Sequence, residues 1–365
     1  MLPPSPLLAA VWLVNLAPPL AYDQLCEHGA SIDAIEGGRV VTLDLIATGR
    51  WQEAEQVGRN CLLMSQQTEG SELRRHQLLA DLGLLAADRG DTEIALDYAA
   101  AVRSWAEPRS LQRLIDGADR IAVRVALAAG DYEEAYRAAL RISPAGQAPR
   151  HNIRDVVDDL FDLVEAAVRT ERLTTARDRA DTAVRLGLAR ISPRVEALTL
   201  AMSAMSVPAS EAGDMYRSAL THPGLADSPF HRARITLAQG ISLRRGRKCI
   251  EARAALGAAA EAFDRLGAHP WAEQARTELR AAGAPTAQSA TETPTLTVQE
   301  RRIAELAAAG LPTRHIADRL CISPRTVDAH LYRVFRKLSV TRRSELSAGL
   351  RRYRSAEVAV SDAGH

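Results

Sequence analysis

The stretch Leu296 to Leu338 reads LTVQERRIAELAAAGLPTRHIADRLCISPRTVDAHLYRVFRKL, and its spacing of apolar residues resolves into three short helices joined by two tight turns. Thr297 is placed to cap the first helix, with Glu300 three positions on completing a capping box, and Ile303, Leu306 and Ala307 follow at helical spacing. Gly310 ends that helix. Leu311 and Pro312 open a second, whose inward face is Ile316, Ala317 and Leu320. After the turn Cys321-Ile322, Ser323 is a good N-cap and Pro324 sits at the first helical position, where its missing N–H costs nothing. Val327, Leu331, Val334 and Leu338 then make one inward stripe. The opposite face carries Arg325, Asp328, Ala329, Tyr332, Arg333 and Arg336, cations and groups that can meet base edges on an element narrow enough for a major groove. A fourth helix is expected from Arg343 to Tyr353.

Charge separates this region from the rest. Residues 295–355 hold 13 Lys/Arg against 5 Asp/Glu, a net of +8, which leaves 33 against 40, or −7, elsewhere. A near-neutral chain thus divides into a basic module and an acidic body, the electrostatic pattern of a nucleic-acid binder with a non-binding partner domain. The run Gly283 to Thr295, rich in Pro, Thr and Ala without hydrophobic period, reads as the linker between them.

Leu296-Thr297, Glu300, Gly310, Ile316-Ala317, Leu320, Ile322-Ser323, Thr326-Val327, His330, Val334, Lys337-Leu338, Val340 and Arg343 together resemble the LuxR-type helix-turn-helix over about 55 residues. The resemblance implies that Asp328, Ala329 and Tyr332 face the bases, and that Thr326, His330, Lys337 and Arg343 lie near the DNA backbone or in the packed frame. With the outward face of the third helix, the DNA-contacting set expected is Thr313, Ser323, Arg325, Thr326, Asp328, Ala329, His330, Tyr332, Arg333, Arg336, Lys337 and Arg343. Asp328 stands where the family often has Lys, His315 where it has Glu and Ser339 where it has Gly. An acidic group at 328 would accept from cytosine N4 and repel phosphate, so it bears on which sequence is read. Binding as a homodimer on DNA is expected, with the helix Arg343 to Tyr353 as pairing surface, and RNA polymerase as a downstream partner.

Upstream lies a repeat. Gly49-Arg50-Trp51-Gln52-Glu53-Ala54 is echoed by Gly90-Asp91-Thr92-Glu93-Ile94-Ala95, by Gly130-Asp131-Tyr132-Glu133-Glu134-Ala135 and more weakly by Glu171 to Ala176. The closing alanines fall 41, 40 and 41 residues apart, and Ala212 and Ala252 continue the series after one shorter interval of 36. Each unit reads as helix, Gly-centred turn and second helix, with a small residue where the two cross. Such units resemble tetratricopeptide-type repeats, with longer helices. Pairs of this size cannot bury their apolar faces alone, so neighbours should stack into an α-solenoid with a concave surface suited to sensing a small-molecule or protein effector.

The segment from Phe230-His231-Arg232-Ala233-Arg234 to Pro270-Trp271-Ala272-Glu273 also resembles the part preceding the DNA-binding domain in large ATP-binding LuxR regulators of the maltose-activator type. Those carry a P-loop ATPase. Here no G-x-x-x-x-G-K-[ST] occurs, the only lysines are Lys248 and Lys337, and the run Gly240 to Lys248 has the wrong spacing to cradle phosphate. The chain is therefore expected to lack the motor and to need no cofactor.

Composition agrees with an all-α protein: 47% hydrophobic, 4% aromatic and rich in Ala, Leu, Arg and Glu. Cys26, Cys61, Cys249 and Cys321 are isolated and read as reduced, mostly buried thiols, and His222 and His231, flanking a Pro/Gly loop, have no acidic or Cys partner at ligand spacing, so no metal site is expected. Leu7 to Leu20 is apolar but lacks a preceding Lys or Arg, is interrupted by Asn15 and Pro18-Pro19 and is too short to span a bilayer, which favours a cytoplasmic protein. Asp158, Asp159 and Asp162 fit the D-D-x-x-D pattern of isoprenoid synthases that hold magnesium, with Asp155 nearby, yet few aromatic residues are available to line such a cavity. A solvated acidic helix face is the expected account.

The sequence therefore predicts a non-enzymatic DNA-binding transcriptional regulator. Residues 1–282 form a tetratricopeptide-like α-solenoid, 283–295 a linker, 296–355 a four-helix LuxR-type helix-turn-helix domain and 356–365 a disordered tail. The competing reading is a helical-repeat scaffold with vestigial DNA binding.

Overall fold

The computed structural model describes residues 32–144, 153–283, 296, 298–320, 324–338, 340, 342–351 and 353. Thr297, the turn Cys321 to Ser323, Ser339, most of the linker, the apolar run Leu7 to Leu20 and the tail lie outside them. For Arg325, Thr326, Ala329, Arg333 and Arg336 the backbone alone is described. The chain divides into two compact units, Met1–Ala284 and Pro285–His365. Among the described residues both are wholly helical, and no helix is long and apolar enough to cross a membrane.

Among the described residues the first unit is six helix pairs and one further helix. The pairs are α1 (Ile32–Ala47) with α2 (Trp51–Gln67), α3 (Glu72–Arg89) with α4 (Thr92–Ala106), α5 (Gln112–Ala129) with α6 (Tyr132–Ile142), α7 (Ile153–Arg169) with α8 (Leu173–Arg185), α9 (Pro193–Met205) with α10 (Ala212–Thr221) and α11 (Pro229–Arg245) with α12 (Cys249–Leu266); α13 (His269–Ala281) follows. The turn chemistry recurs. The N–H groups of Arg50, Asp91, Asp131, Arg172, Lys248 and Ala268 each donate to the carbonyl five residues back at 2.8–2.9 Å, the long bond of a Schellman motif. The preceding residue is left-handed in every case. Glycine fills that place at Gly49, Gly90, Gly130 and Gly267, but Glu171 and Arg247 adopt φ of 63° and 60°, so the turn does not require the glycine that the repeat suggested.

Five residues beyond the left-handed position of the first four turns come Ala54, Ala95, Ala135 and Ala176, and Ala252 stands in the same place after Arg247. All five are fully buried, and Ala212 in the fifth pair is nearly so. A methyl group there lets the second helix of each pair lie close to the first. The first helices of successive pairs then touch in series, α1 to α3, α3 to α5 and so on to α11 and α13.

This array does not stay open. Helix α13 packs back on α3 and α5. There Gln274 donates to the carbonyls of Leu127 and Ala128, both at 2.7 Å, and accepts from the Tyr132 hydroxyl at 2.9 Å. Carbonyls in the last turn of α5, that of Leu127 also accepting from the Gly130 N–H at 3.1 Å, are thus met from 146 and 147 residues away. Trp51 and Trp271 both meet Phe230 edge-on, with centroids 5.3 and 5.4 Å apart. A Cβ on Gly49 would lie 2.7 Å from both Leu266 and Pro229, and one on Gly90 2.5 Å from Pro270, so at these two turns the close approach does require glycine.

The enclosed face corrects two expectations. The acidic run of α7 is not solvated: Asp159 and Asp162 are buried. Nor is it left free to hold a metal. Asp159 takes Arg120 at 2.5 Å, Asp158 takes Arg194 at 2.7 Å, and Asp162 is shared by Arg124 at 3.1 Å and Arg234 at 2.6 Å. Arg124 also binds Asp88, and Arg234 binds Glu165. The Arg234 guanidinium, with no solvent exposure, lies 4.8 Å from the Phe161 ring centre and 4.9 Å from that of Trp271. Burial opposes the charges of Asp158 and Asp162, but their arginines outweigh it and hold both carboxyls well below the ordinary range. The histidines also gain acidic neighbours that their sequence spacing hid, His231 to Asp158 at 3.3 Å and His222 to Glu196 at 3.4 Å. Cys61 is buried but Cys249 is exposed, against the expectation for the latter.

Candidate nucleic-acid interface

The second unit contains α14 (Val298–Ala308), α15 (Thr313–Leu320), α16 (Pro324–Lys337) and, after a 3-10 turn at Arg343–Glu345, a last helix α17 over 346–351. Its core is Ile303, Ala304 and Ala307 of α14, Ile316 and Ala317 of α15, and Val327, Leu331, Val334 and Leu338 along α16, closed by Leu346, Leu350 and Tyr353. The inward stripe of α16 is therefore the one its spacing dictates. Tyr353 ties the two ends of the domain together, its hydroxyl accepting from the Leu296 N–H at 2.8 Å.

With that stripe buried, Asp328 and Tyr332 are exposed one turn apart, Tyr332 at 67%. Asp328 does not stand alone. The Thr313 hydroxyl, at the start of α15, donates to its carboxylate at 3.2 Å, and Arg343 donates to Thr313 Oγ1 at 3.3 Å and to the Leu311 carbonyl. Arg343, Thr313 and Asp328 thus form a polar chain that links the ends of α15 and α17 to the outward side of α16. An acid at position 328 fits because it accepts from Thr313, which a lysine could not do.

Lys337 has a different place. Its ammonium meets the Glu300 carboxylate at 2.5 Å, with the Glu300 side chain only 4% exposed, so it clamps the end of α16 to α14. Arg343 is likewise engaged inside the domain. His330 is half buried. Arg325, Thr326, Ala329, Arg333 and Arg336 are distributed along α16, and Ser323 precedes it outside the described residues. The Lys337 pairing was the feature hardest to anticipate, although a lysine and a glutamate 37 residues apart at opposite ends of a three-helix motif are its visible trace.

Three helices around one apolar core, with a basic composition and an exposed helix face, define a helix-turn-helix DNA-binding domain. Residues 294–348 match the family of bacterial regulatory proteins, luxR family, and this unit is a LuxR-type helix-turn-helix domain. No curated protein matches the chain. The matched domain supports a DNA-binding transcription regulator, carried on a body of helix pairs.

Proposed function

We propose that the chain is a sequence-specific transcriptional regulator in which α16 enters the major groove of double-stranded DNA and the paired-helix unit receives an effector, a small molecule or a protein. The observation that carries this reading is the exposure of Asp328 and Tyr332, side by side on the outward face of a helix whose other face is fully committed to the core. These two residues read bases, and Arg325, Arg333 and Arg336 neutralise phosphate. Ser323, Thr326, Ala329 and His330 complete the contact surface, while Thr313, Lys337 and Arg343 act through the frame that positions α16. The regulator works in the cytoplasm, pairs as a homodimer on DNA through the α17 side and engages RNA polymerase there.

The test is selection of bound duplexes from a random pool by the full chain, followed by titration of the selected site and a scrambled site at several salt concentrations. Tyr332→Ala and Asp328→Ala should change preference at one or two base pairs by about 1–3 kcal/mol. Arg336→Ala should weaken both duplexes alike and lower the salt slope by about one unit. Recovery of no common sequence would refute the regulator and favour the scaffold.

A further inference from the structure

The first helices of the pairs enclose two adjoining hollows, of about 360 and about 150 Å³, which share Ala80, Asp81, Gly117, Arg120 and Asp155 in their walls. The larger lies at the lower end of the volumes typical of small-molecule sites. Its wall combines Leu73, Leu111 and Leu114 with charged groups. Most of these are firmly paired: Arg39 with Asp81 at 2.6 Å, Arg120 with Asp159 at 2.5 Å and, around the smaller hollow, Arg194 with Asp158 at 2.7 Å. One pair differs. Arg113 of α5 and Asp155 of α7 approach only to 3.4 Å, and the Arg113 side chain is 54% exposed.

A ligand entering here must satisfy both members of that loose pair. A lone cation on Asp155 or a lone anion on Arg113 would gain one charge contact at the expense of the pair's own 3.4 Å contact. A molecule carrying both charges completes both partners, and the leucine wall takes an aliphatic group. We propose that this cavity binds an α-amino acid with an aliphatic side chain, its carboxylate on Arg113, its ammonium on Asp155 and its side chain against Leu73, Leu111 and Leu114. Such a ligand bridges α5 and α7, the first helices of successive pairs, and so couples occupancy to the spacing of the array. The proposal rests on the reading that the paired-helix unit receives a small-molecule effector.

The experiment is calorimetric titration of the full chain with L-leucine, with 3-methylbutylamine, which lacks the carboxylate, and with 4-methylpentanoate, which lacks the ammonium. Saturable leucine binding is expected, at least tenfold tighter than either fragment. Arg113→Ala and Asp155→Asn should each weaken it at least tenfold, whereas Arg276→Ala, on the far surface pair with Asp264, should leave it unchanged. No saturable binding of leucine, isoleucine or valine, equal affinity for leucine and the amine, or unchanged leucine affinity in Asp155→Asn would overturn the proposal. The fragment comparison uses the unaltered protein and decides the matter even if a variant fails to fold. Retention of the selected duplex, measured with and without leucine, separates the two readings. Leucine binding without any change in retention defeats effector sensing through this site while the site stands, and retention that responds to another small molecule while leucine gives no heat does the reverse.

Discussion

Helices α7 and α16 are both amphipathic, and both carry their charges on the face opposite an apolar stripe. Their fates are opposite. In α7 the charged face turns into the unit, where Asp159 and Asp162 are buried against arginines of α5 and α11, whereas in α16 Tyr332 and Asp328 remain exposed. A polar helix face is therefore an unassigned surface: it becomes solvated or internal according to whether the fold brings complementary charge to it. Helix α7 is packed into a closed array, whereas among the described residues the outward side of α16 is met by Thr313 at Asp328 while Tyr332 stays exposed.

Four measurements would break or sharpen that contrast, beginning with the largest effect. Arg234→Ala removes a fully buried cation shared by Asp162 and Glu165, and should destabilise the paired-helix unit by about 3–5 kcal/mol in denaturant unfolding. A loss below about 1 kcal/mol, the range of exposed pairs, would mean that the α7 face is solvated after all.

The second concerns pH. Burial, assisted by Arg194, pushes His231 down to about 4 despite Asp158, so the folded protein keeps this ring neutral. A histidine with a lowered folded value contributes its full stability above its ordinary value of 6.5 and loses it as pH falls from there towards 4, by about 3 kcal/mol. Asp88, which burial pushes up to about 6, acts in the opposite sense, binding a proton more readily in the folded state and gaining stability as pH falls below 6. The comparison of wild type with His231→Gln isolates the histidine: the variant should lack the acid-side loss between pH 6.5 and 4, and parallel curves would contradict a buried neutral ring.

Third, Lys337 is the point at which α16 resembles α7, a charge turned inward. Lys337→Ala takes a partner from the buried Glu300 carboxylate and should cost the DNA-binding unit about 1–3 kcal/mol, with weaker binding to selected and scrambled duplexes following from that loss. Unchanged unfolding together with a salt slope reduced by one unit would return Lys337 to the phosphate. The smallest expected effect is Tyr332→Ala, whose side chain touches water, and its unfolding should stay within about 0.5 kcal/mol of wild type while the selected sequence changes.

What the sequence disclosed follows from the range of the interactions. The stripe Val327, Leu331, Val334 and Leu338 and the alanines at 54, 95, 135 and 176 were legible because each depends on spacing within one helix or on a turn a few residues away. The Arg234 partnership with Asp162 spans 72 residues and that of Gln274 with Leu127 spans 147, and no local pattern marks either. At Glu171 and Arg247 the repeat kept its backbone while losing its glycine, so the sequence echo faded before the geometry did. On the DNA-binding side, the Thr313 hydroxyl that accommodates Asp328 belongs to a different helix, which is why the acid looked like a departure rather than a fit.

The return of α13 to the first pairs also bears on how such a chain can change length. An open stack of helix pairs gains or loses a unit for one interface, because each unit meets only its neighbours. Here a pair added or removed anywhere between α5 and α11 would shift Gln274 away from the Leu127 and Ala128 carbonyls and Pro270 away from Gly90. The number of units between α5 and α11 is thereby fixed by closure. Folding inherits the same constraint: the ends of the whole segment from Trp51 to Phe230 must meet before the aromatic contact of Trp51 with Phe230 is made, so an array of local hairpins acquires the slow, all-or-none assembly of a high-contact-order domain.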